Sequence, residues 1–187
     1  TMSSAEHRAT SPASVRCYVI TVSDTRTEET DTGGKAVAEL LAAGGHMVVG
    51  RHIVRDEPAE VAALVALNAD SDHVDVIITT GGTGITRRDS TFEAIDGLLE
   101  KRLPGFGELM RTASLKFVPT AILSRQTAGI RGRTLIVNLP GKPSAIDDCL
   151  NAVFPAMPYC IDLIGGDRLE SDAQQCAAFR PAHAAKP

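Results

Sequence analysis

The sequence lacks an excess of basic residues: Lys and Arg number 19 against 23 Asp and Glu, for a formal net charge of −4 and a pI near 5.7. A basic face is the electrostatic mark of a nucleic-acid binder, so no nucleic-acid partner is expected. No apolar run approaches the roughly 20 residues that cross a bilayer. The segment after Met2 is polar and has no apolar stretch of a secretory signal, so a cytoplasmic location without membrane contact is expected. The four cysteines, Cys17, Cys149, Cys160 and Cys176, form no CxxC pair. Zinc sites need closer ligand spacing and secreted disulfide scaffolds more cysteine, which leaves reduced thiols. His7, His46, His52, His73 and His183 show no HxH or HxxxH spacing. Two common phosphate motifs are absent as well. Walker A fails because Ile85-Thr86 follows Gly84, and GxGxxG fails at Arg87 and again at Gly105-Phe106-Gly107. Neither a P-loop NTPase nor a nicotinamide dehydrogenase is supported.

What is present is ordinary globular usage, 43% hydrophobic and 22% charged, over 187 residues. That suffices for one domain with a real core. Residues 1–14 read as a polar tail, 15–166 as the domain and 167–187 as a C-terminal extension. Strands are expected at 17–22, 46–54, 74–80, 121–124 and 134–139. Helices are expected at 34–43, from Pro58 onward, at 90–101 behind the capping box Ser90-Thr91-Phe92-Glu93, at 108–117, at 145–153 and at 159–164. Alternating strands and helices predict an α/β fold, a mostly parallel sheet covered on both faces.

One passage stands out. The apolar run Val76–Thr80 ends in Gly81-Gly82-Thr83-Gly84, followed by Arg87-Arg88-Asp89-Ser90. A strand opening into glycines brings backbone N–H groups close to a ligand, and phosphate suits such a turn best. In parallel α/β folds ligands bind outside the carboxyl ends of the strands. Ser23-Asp24, Arg55-Asp56-Glu57, Gly81–Asp89, Ser124-Arg125 and Asn138–Ser144 all follow expected strands, so they are predicted to converge on one edge.

These motifs have a familiar order. Thr79-Thr80-Gly81-Gly82-Thr83-Gly84, Arg88-Asp89, Pro104-Gly105-Phe106-Gly107-Glu108, Ala121-Ile122-Leu123-Ser124-Arg125 and Asn138-Leu139-Pro140-Gly141 succeed one another. Over about residues 16–165 this series resembles the MogA/MoaB family of molybdenum-cofactor biosynthesis proteins, whose domain also occurs in gephyrin. The stretch Pro104–Arg125, with Pro158-Tyr159-Cys160-Ile161 and Ala178-Phe179-Arg180-Pro181, looks closest to the MogA branch, the molybdopterin adenylyltransferases.

The resemblance implies a three-layer α/β/α sandwich, a homotrimer, and Mg²⁺-dependent transfer of AMP from ATP to the terminal phosphate of molybdopterin, with possible hand-over to a molybdenum insertase. Asp56 and Asp89 match the family's two activity-linked aspartates and are assigned to Mg²⁺. Gly81, Gly82, Thr83 and Gly84 would cradle phosphate. Ser23 and Asp24 would border the pterin or phosphate region, and Arg125 beside Ser124 would pair with a substrate phosphate. Asn138, Pro140, Gly141, Lys142 and Ser144 resemble the nucleotide-side loop, while Arg87 and Arg88 would steer anions. The alternative is a MoaB-like molybdopterin carrier without adenylyl transfer.

Overall fold

The computed structural model describes residues 15–165, 178, 179 and 181. The expected tail at 1–14 lies outside the described residues, as does nearly all of the expected extension at 167–187. Six strands, β1 (Arg16–Val22), β2 (Met47–Val54), β3 (Val76–Thr80), β4 (Lys101–Arg102), β5 (Thr127–Arg131) and β6 (Thr134–Leu139), form one sheet in the order β2-β1-β3-β6-β5-β4. β2, β1, β3 and β6 run parallel, and β5 and β4 are antiparallel additions. Every residue of β3 and β6 is buried. This explains their unbroken apolar, β-branched runs, because both faces are covered. One face carries α1 (Thr32–Ala43), α4 (Pro104–Leu115), α5 (Pro143–Val153) and α6 (Met157–Leu163) around Val37, Leu41, Met110, Ile146 and Leu150. The other carries α2 (Pro58–Ala69) and α3 (Thr91–Asp96) around Val61, Val65, Ile77, Ile95 and Ile136. This is the expected three-layer sandwich.

The register puts the functional loops on one level. Val22 pairs with Val54, Thr21 with Thr80, and Thr80 with Leu139. The four parallel strands therefore end side by side. Strand order reverses between β1 and β3, and the crevice at such a reversal is where ligands of open α/β sheets bind.

Four expectations need correction. The helix after Ser90 is short, Thr91–Asp96, and Ser90 makes no side-chain cap; its hydroxyl donates to Asp56 instead, and Glu93 turns to Arg125. Residues 101–102 form β4, whose flanks are tied down as Glu100 N–H donates to Ile130 O and Leu103 N–H to Ala128 O, both at 2.8 Å. Gly105 and Gly107 lie inside α4, which begins at Pro104. A Cβ on Gly107 would come within 2.5 Å of the Gln126 carbonyl, so this glycine lets helix and strand approach rather than ending the helix. Residues 119–123 form a 3₁₀ turn, with Ala121 N–H donating to Val118 O and Ser124 N–H to Ala121 O, both at 3.0 Å. The strand beside β6 is therefore β5, whose Thr-Ala-Gly-Ile-Arg carries little β signal.

His46, just before β2, is buried with its ring 5.4 Å from that of Phe154. Burial lowers its pKa below the ordinary 6.5. The unfolded chain then binds a proton that the folded one resists, so stability falls as pH drops from about 7 towards 5. His46→Gln is expected to flatten the slope of Tm against pH in that window. The lowered carboxyl groups of Asp70, Glu93 and Asp96, each held chiefly by a hydrogen bond from an arginine, contribute stability that is present at neutral pH and is lost only as pH falls below about 4.

Candidate active site at the carboxyl rim of the sheet

The cradle is built backbone against backbone. Gly81 and Gly82 take φ of 107° and 63°, where an L side chain is strained. The Gly81 N–H donates to Leu139 O at 3.1 Å, and a Cβ placed on Gly141 would lie 3.3 Å from Gly81 Cα. A Cβ on Gly81 itself would strike the Val22 carbonyl. The loops after β1, β3 and β6 thus meet at these glycines. Thr80 seals the join by donating its hydroxyl to Pro140 O at 2.9 Å. Beside it Thr79 donates to Asn138 Oδ1 at 2.9 Å, while Asn138 Nδ2 lies buried with no partner among the described residues.

Asp56 and Asp89 flank this cradle. Asp56 Oδ2 lies 3.5 Å from where a Cβ of Gly82 would be, and its Oδ1 accepts the hydroxyls of Ser90 at 3.1 Å and Thr91 at 3.4 Å. Asp89 Oδ2 accepts the Thr86 hydroxyl at 2.6 Å and the Thr86 N–H at 2.9 Å, and lies 2.6 Å from a Cβ placed on Gly84. These donors, the Thr86 hydroxyl first, hold the Asp89 carboxyl below its ordinary pKa despite some burial, so it is an anion at neutral pH. Among the described residues no group of three or more His, Cys, Asp and Glu could hold a metal alone. Two carboxylates beside a glycine cradle do fit Mg²⁺, which takes one or two carboxylates and completes its shell with substrate oxygens and water.

Arg125 is placed differently from the expectation that it pairs with a substrate phosphate. Its Nε donates to Gly84 O at 2.8 Å, one terminal nitrogen to Asp89 O at 2.6 Å, and the other pairs with Glu93. The guanidinium also stands 5.3 Å from the centre of the Phe92 ring. All three nitrogens are engaged within the protein, so Arg125 is a clamp on the loop that carries Asp89. Its neighbour Ser124 donates to the Thr83 hydroxyl at 3.1 Å, and Arg125 N–H donates to Thr83 O at 2.8 Å. Arg125→Ala is expected to cost about 2–3 kcal/mol and to lower Tm by roughly 5–10 °C in a thermal melt. Arg125→Lys recovers little of this, since an ammonium cannot reach three diverging acceptors in a plane.

The remaining expected residues also reach the rim. Ser23 Oγ accepts the N–H groups of Thr25 at 3.3 Å and Arg26 at 3.2 Å, and so shapes the loop after β1. Asp24 Oδ1 accepts the Asp56 N–H at 3.2 Å. Lys142 precedes α5 and Ser144 lies in its first turn, both exposed. A cleft of about 770 Å³ opens from Ser23 and Asp24 towards the edge strand β2, bordered by Arg26, Arg51 and Arg55.

Known proteins decide the family. Residues 18–159 match the family described as "Probable molybdopterin binding domain". This chain belongs to that family. It is 50% identical over 153 residues to the molybdopterin adenylyltransferase of Helicobacter pylori, covering 81% of this chain and 87% of that protein. It is 43% identical to molybdenum cofactor biosynthesis protein B of Bacillus cereus, covering 80% and 90%. A crystal structure of a molybdenum cofactor biosynthesis protein B superposes with a TM-score of 0.79 at 40% identity, covering 82% of this chain and 97% of that one.

Within this molybdopterin-binding fold, sequence reasoning missed several supporting residues. Ser90 and Thr91 signal a helix cap, yet both hydroxyls bind Asp56. Asp31 carries no distinguishing signal in sequence, because its own loop is polar throughout. In the structure it is buried, accepting Gly34 N–H at 2.8 Å, the Thr21 hydroxyl at 3.0 Å and Arg51 at 3.0 Å. It thereby ties α1 to β1 and β2 beneath the cleft.

Proposed function

We propose that this chain is a molybdopterin adenylyltransferase, which transfers AMP from ATP to the terminal phosphate of molybdopterin and releases pyrophosphate. The observation that carries the reading is the pair of carboxylates, Asp56 and Asp89, set against one glycine cradle where the strand order reverses. The 50% identity to a named adenylyltransferase supports it.

The chemistry asks little of a general base. The terminal phosphate of the pterin is ionised at neutral pH, and one of its oxygens attacks the α-phosphorus of ATP. The bond to the pyrophosphate oxygen breaks, and pyrophosphate leaves with that electron pair. The barrier is the meeting of anions, so placement and charge stabilisation carry the catalysis. Within Gly81–Gly84 the N–H groups of Gly82 and Thr83 would hold phosphate oxygens, since the Gly81 N–H is bonded to Leu139 O and that of Gly84 faces Asp89. Asp56 and Asp89 would hold Mg²⁺, which neutralises charge on the polyphosphate when bound. Ser90 and Thr91 orient Asp56, Thr86 orients Asp89, and Arg125 fixes the backbone between them. Pro140, Gly141 and the buried amide of Asn138 form the floor on the nucleotide side, with Lys142 and Ser144 at its edge.

A homotrimer, a cytoplasmic location and hand-over of the product to a molybdenum insertase belong to the same reading. Among the described residues no helix is long and apolar enough to cross a membrane. Phe117, Ile122 and Leu123, each more than half exposed, offer apolar area for a subunit contact. The deciding experiment is pyrophosphate release from ATP by the purified chain. Release that requires both Mg²⁺ and molybdopterin supports the enzyme. Molybdopterin binding without release would make the chain a carrier.

A further inference from the structure

An ion pair spans the mouth of the cradle that the adenylyl-transfer reading does not use. Arg88 lies in the loop after β3 with its side chain 73% exposed, and its guanidinium pairs with Asp24 Oδ2 in the loop after β1. The other oxygen of Asp24 accepts the Asp56 N–H at 3.2 Å. Asp24 therefore fastens three rim loops at once. The other arginines here have different partners. Arg125 is clamped as described, Arg26 donates to Thr30 O at 3.0 Å, and Arg55 pairs with Glu60. Arg88 is held across the opening by a half-exposed carboxylate, and such a pair is weak in water.

We propose that Arg88 is an anion-sensing residue that exchanges partners. Asp24 holds it over the free cradle, and an entering polyphosphate takes it over. A phosphate group offers more negative charge and accepts two parallel N–H bonds from a guanidinium. Asp24 then acts as the keeper of Arg88 and competes with the substrate, rather than binding it. The proposal rests on the phosphate cradle of the reading above, and it adds an internal ion pair that is exchanged for one with the entering polyphosphate.

The test is a double-mutant cycle on pyrophosphate binding, measured by titration calorimetry with EDTA present so that no metal contributes. Arg88→Ala should weaken binding about tenfold. Asp24→Asn keeps an oxygen for the Asp56 N–H but loses its hold on Arg88, and should tighten binding up to about fivefold. In the Arg88→Ala background the same change should give only the small gain from removing one negative charge, so the two effects are non-additive by threefold or more. Additive effects, or weaker binding in Asp24→Asn, would overturn the exchange while leaving the cradle standing. A wild-type chain that binds no pyrophosphate would remove the cradle itself, and the exchange with it.

Discussion

Asp89→Asn is expected to lower adenylyl transfer by about 10²- to 10³-fold while the fold survives. The substitution is nearly isosteric. Its amide oxygen can still accept both donors of Thr86, at 2.6 and 2.9 Å in the wild type, so the loop keeps its local turn. What disappears is one negative charge beside the cradle, and with it half of the carboxylate pair assigned to the metal. The cost in stability is one charge-assisted hydrogen bond made neutral, about 1 kcal/mol. Initial-rate kinetics should show a fall in kcat that raised Mg²⁺ only partly restores, with Tm within a few degrees of wild type. Because its hydrogen bonds hold the Asp89 carboxyl below its ordinary range, the residue is ionised throughout neutral pH. The deficit of the variant should therefore be constant from about pH 6 to pH 9. Wild-type kcat in Asp89→Asn would reduce this residue to a loop staple for Thr86.

The parts of this site that could be read from the sequence are those whose chemistry is local. A buried β-branched run such as Val76–Thr80 declares a covered parallel strand, and a glycine cluster directly after it declares close backbone approach. Pro58 and Pro143 mark helix starts for the same local reason. Errors arose where a tertiary contact overrode a local preference. Ser90 has the right neighbour in Glu93 for a capping box, yet Asp56 and Arg125 take those two side chains away. Gly107 looks like a breaker until the Gln126 carbonyl is seen where its Cβ would stand. Arg125 closes the motif Ala121-Ile122-Leu123-Ser124-Arg125 at an expected strand end beside the site, which suggests a phosphate ligand. Only the positions of Gly84 O, Asp89 O and Glu93 show that its nitrogens are already engaged. The convergence of 23–24, 55–56, 81–84 and 140–142 was legible because parallel strands must end together. Which side chain faces which was not.

Gly82→Ala is expected to unsettle both the fold and the activity, and the contrast with Gly84→Ala separates the two effects. Gly82 has φ of 63°, a conformation that costs an L residue about 1 kcal/mol or more. Its new methyl would overlap Thr91 Oγ1 and come within 2.5 Å of Thr91 Cβ. Thr91 is fully buried in the first turn of α3, packed beside Ile95, and cannot swing into solvent. Overpacking of this kind costs about 1–3 kcal/mol, so the sum is about 2–4 kcal/mol and a Tm lower by roughly 5–15 °C. The crowding thus falls on Thr91 before it reaches any ligand, and Gly82→Val, with two further methyls, should be worse. A displaced Thr91 also loses its hold on Asp56 Oδ1, which couples the strain to the metal side of the site. Gly84→Ala would instead press on the Asp89 carboxylate, 2.6 Å from its Cβ, a partly exposed side chain that can turn aside where the buried Thr91 cannot. That variant should keep most of its Tm and lose activity through Asp89. Differential scanning calorimetry beside pyrophosphate-release assays reads both axes. A Gly82→Ala protein that melts with the wild type would show that Thr91 moves freely, and that the hydroxyl contact with Asp56 is not what shapes this rim.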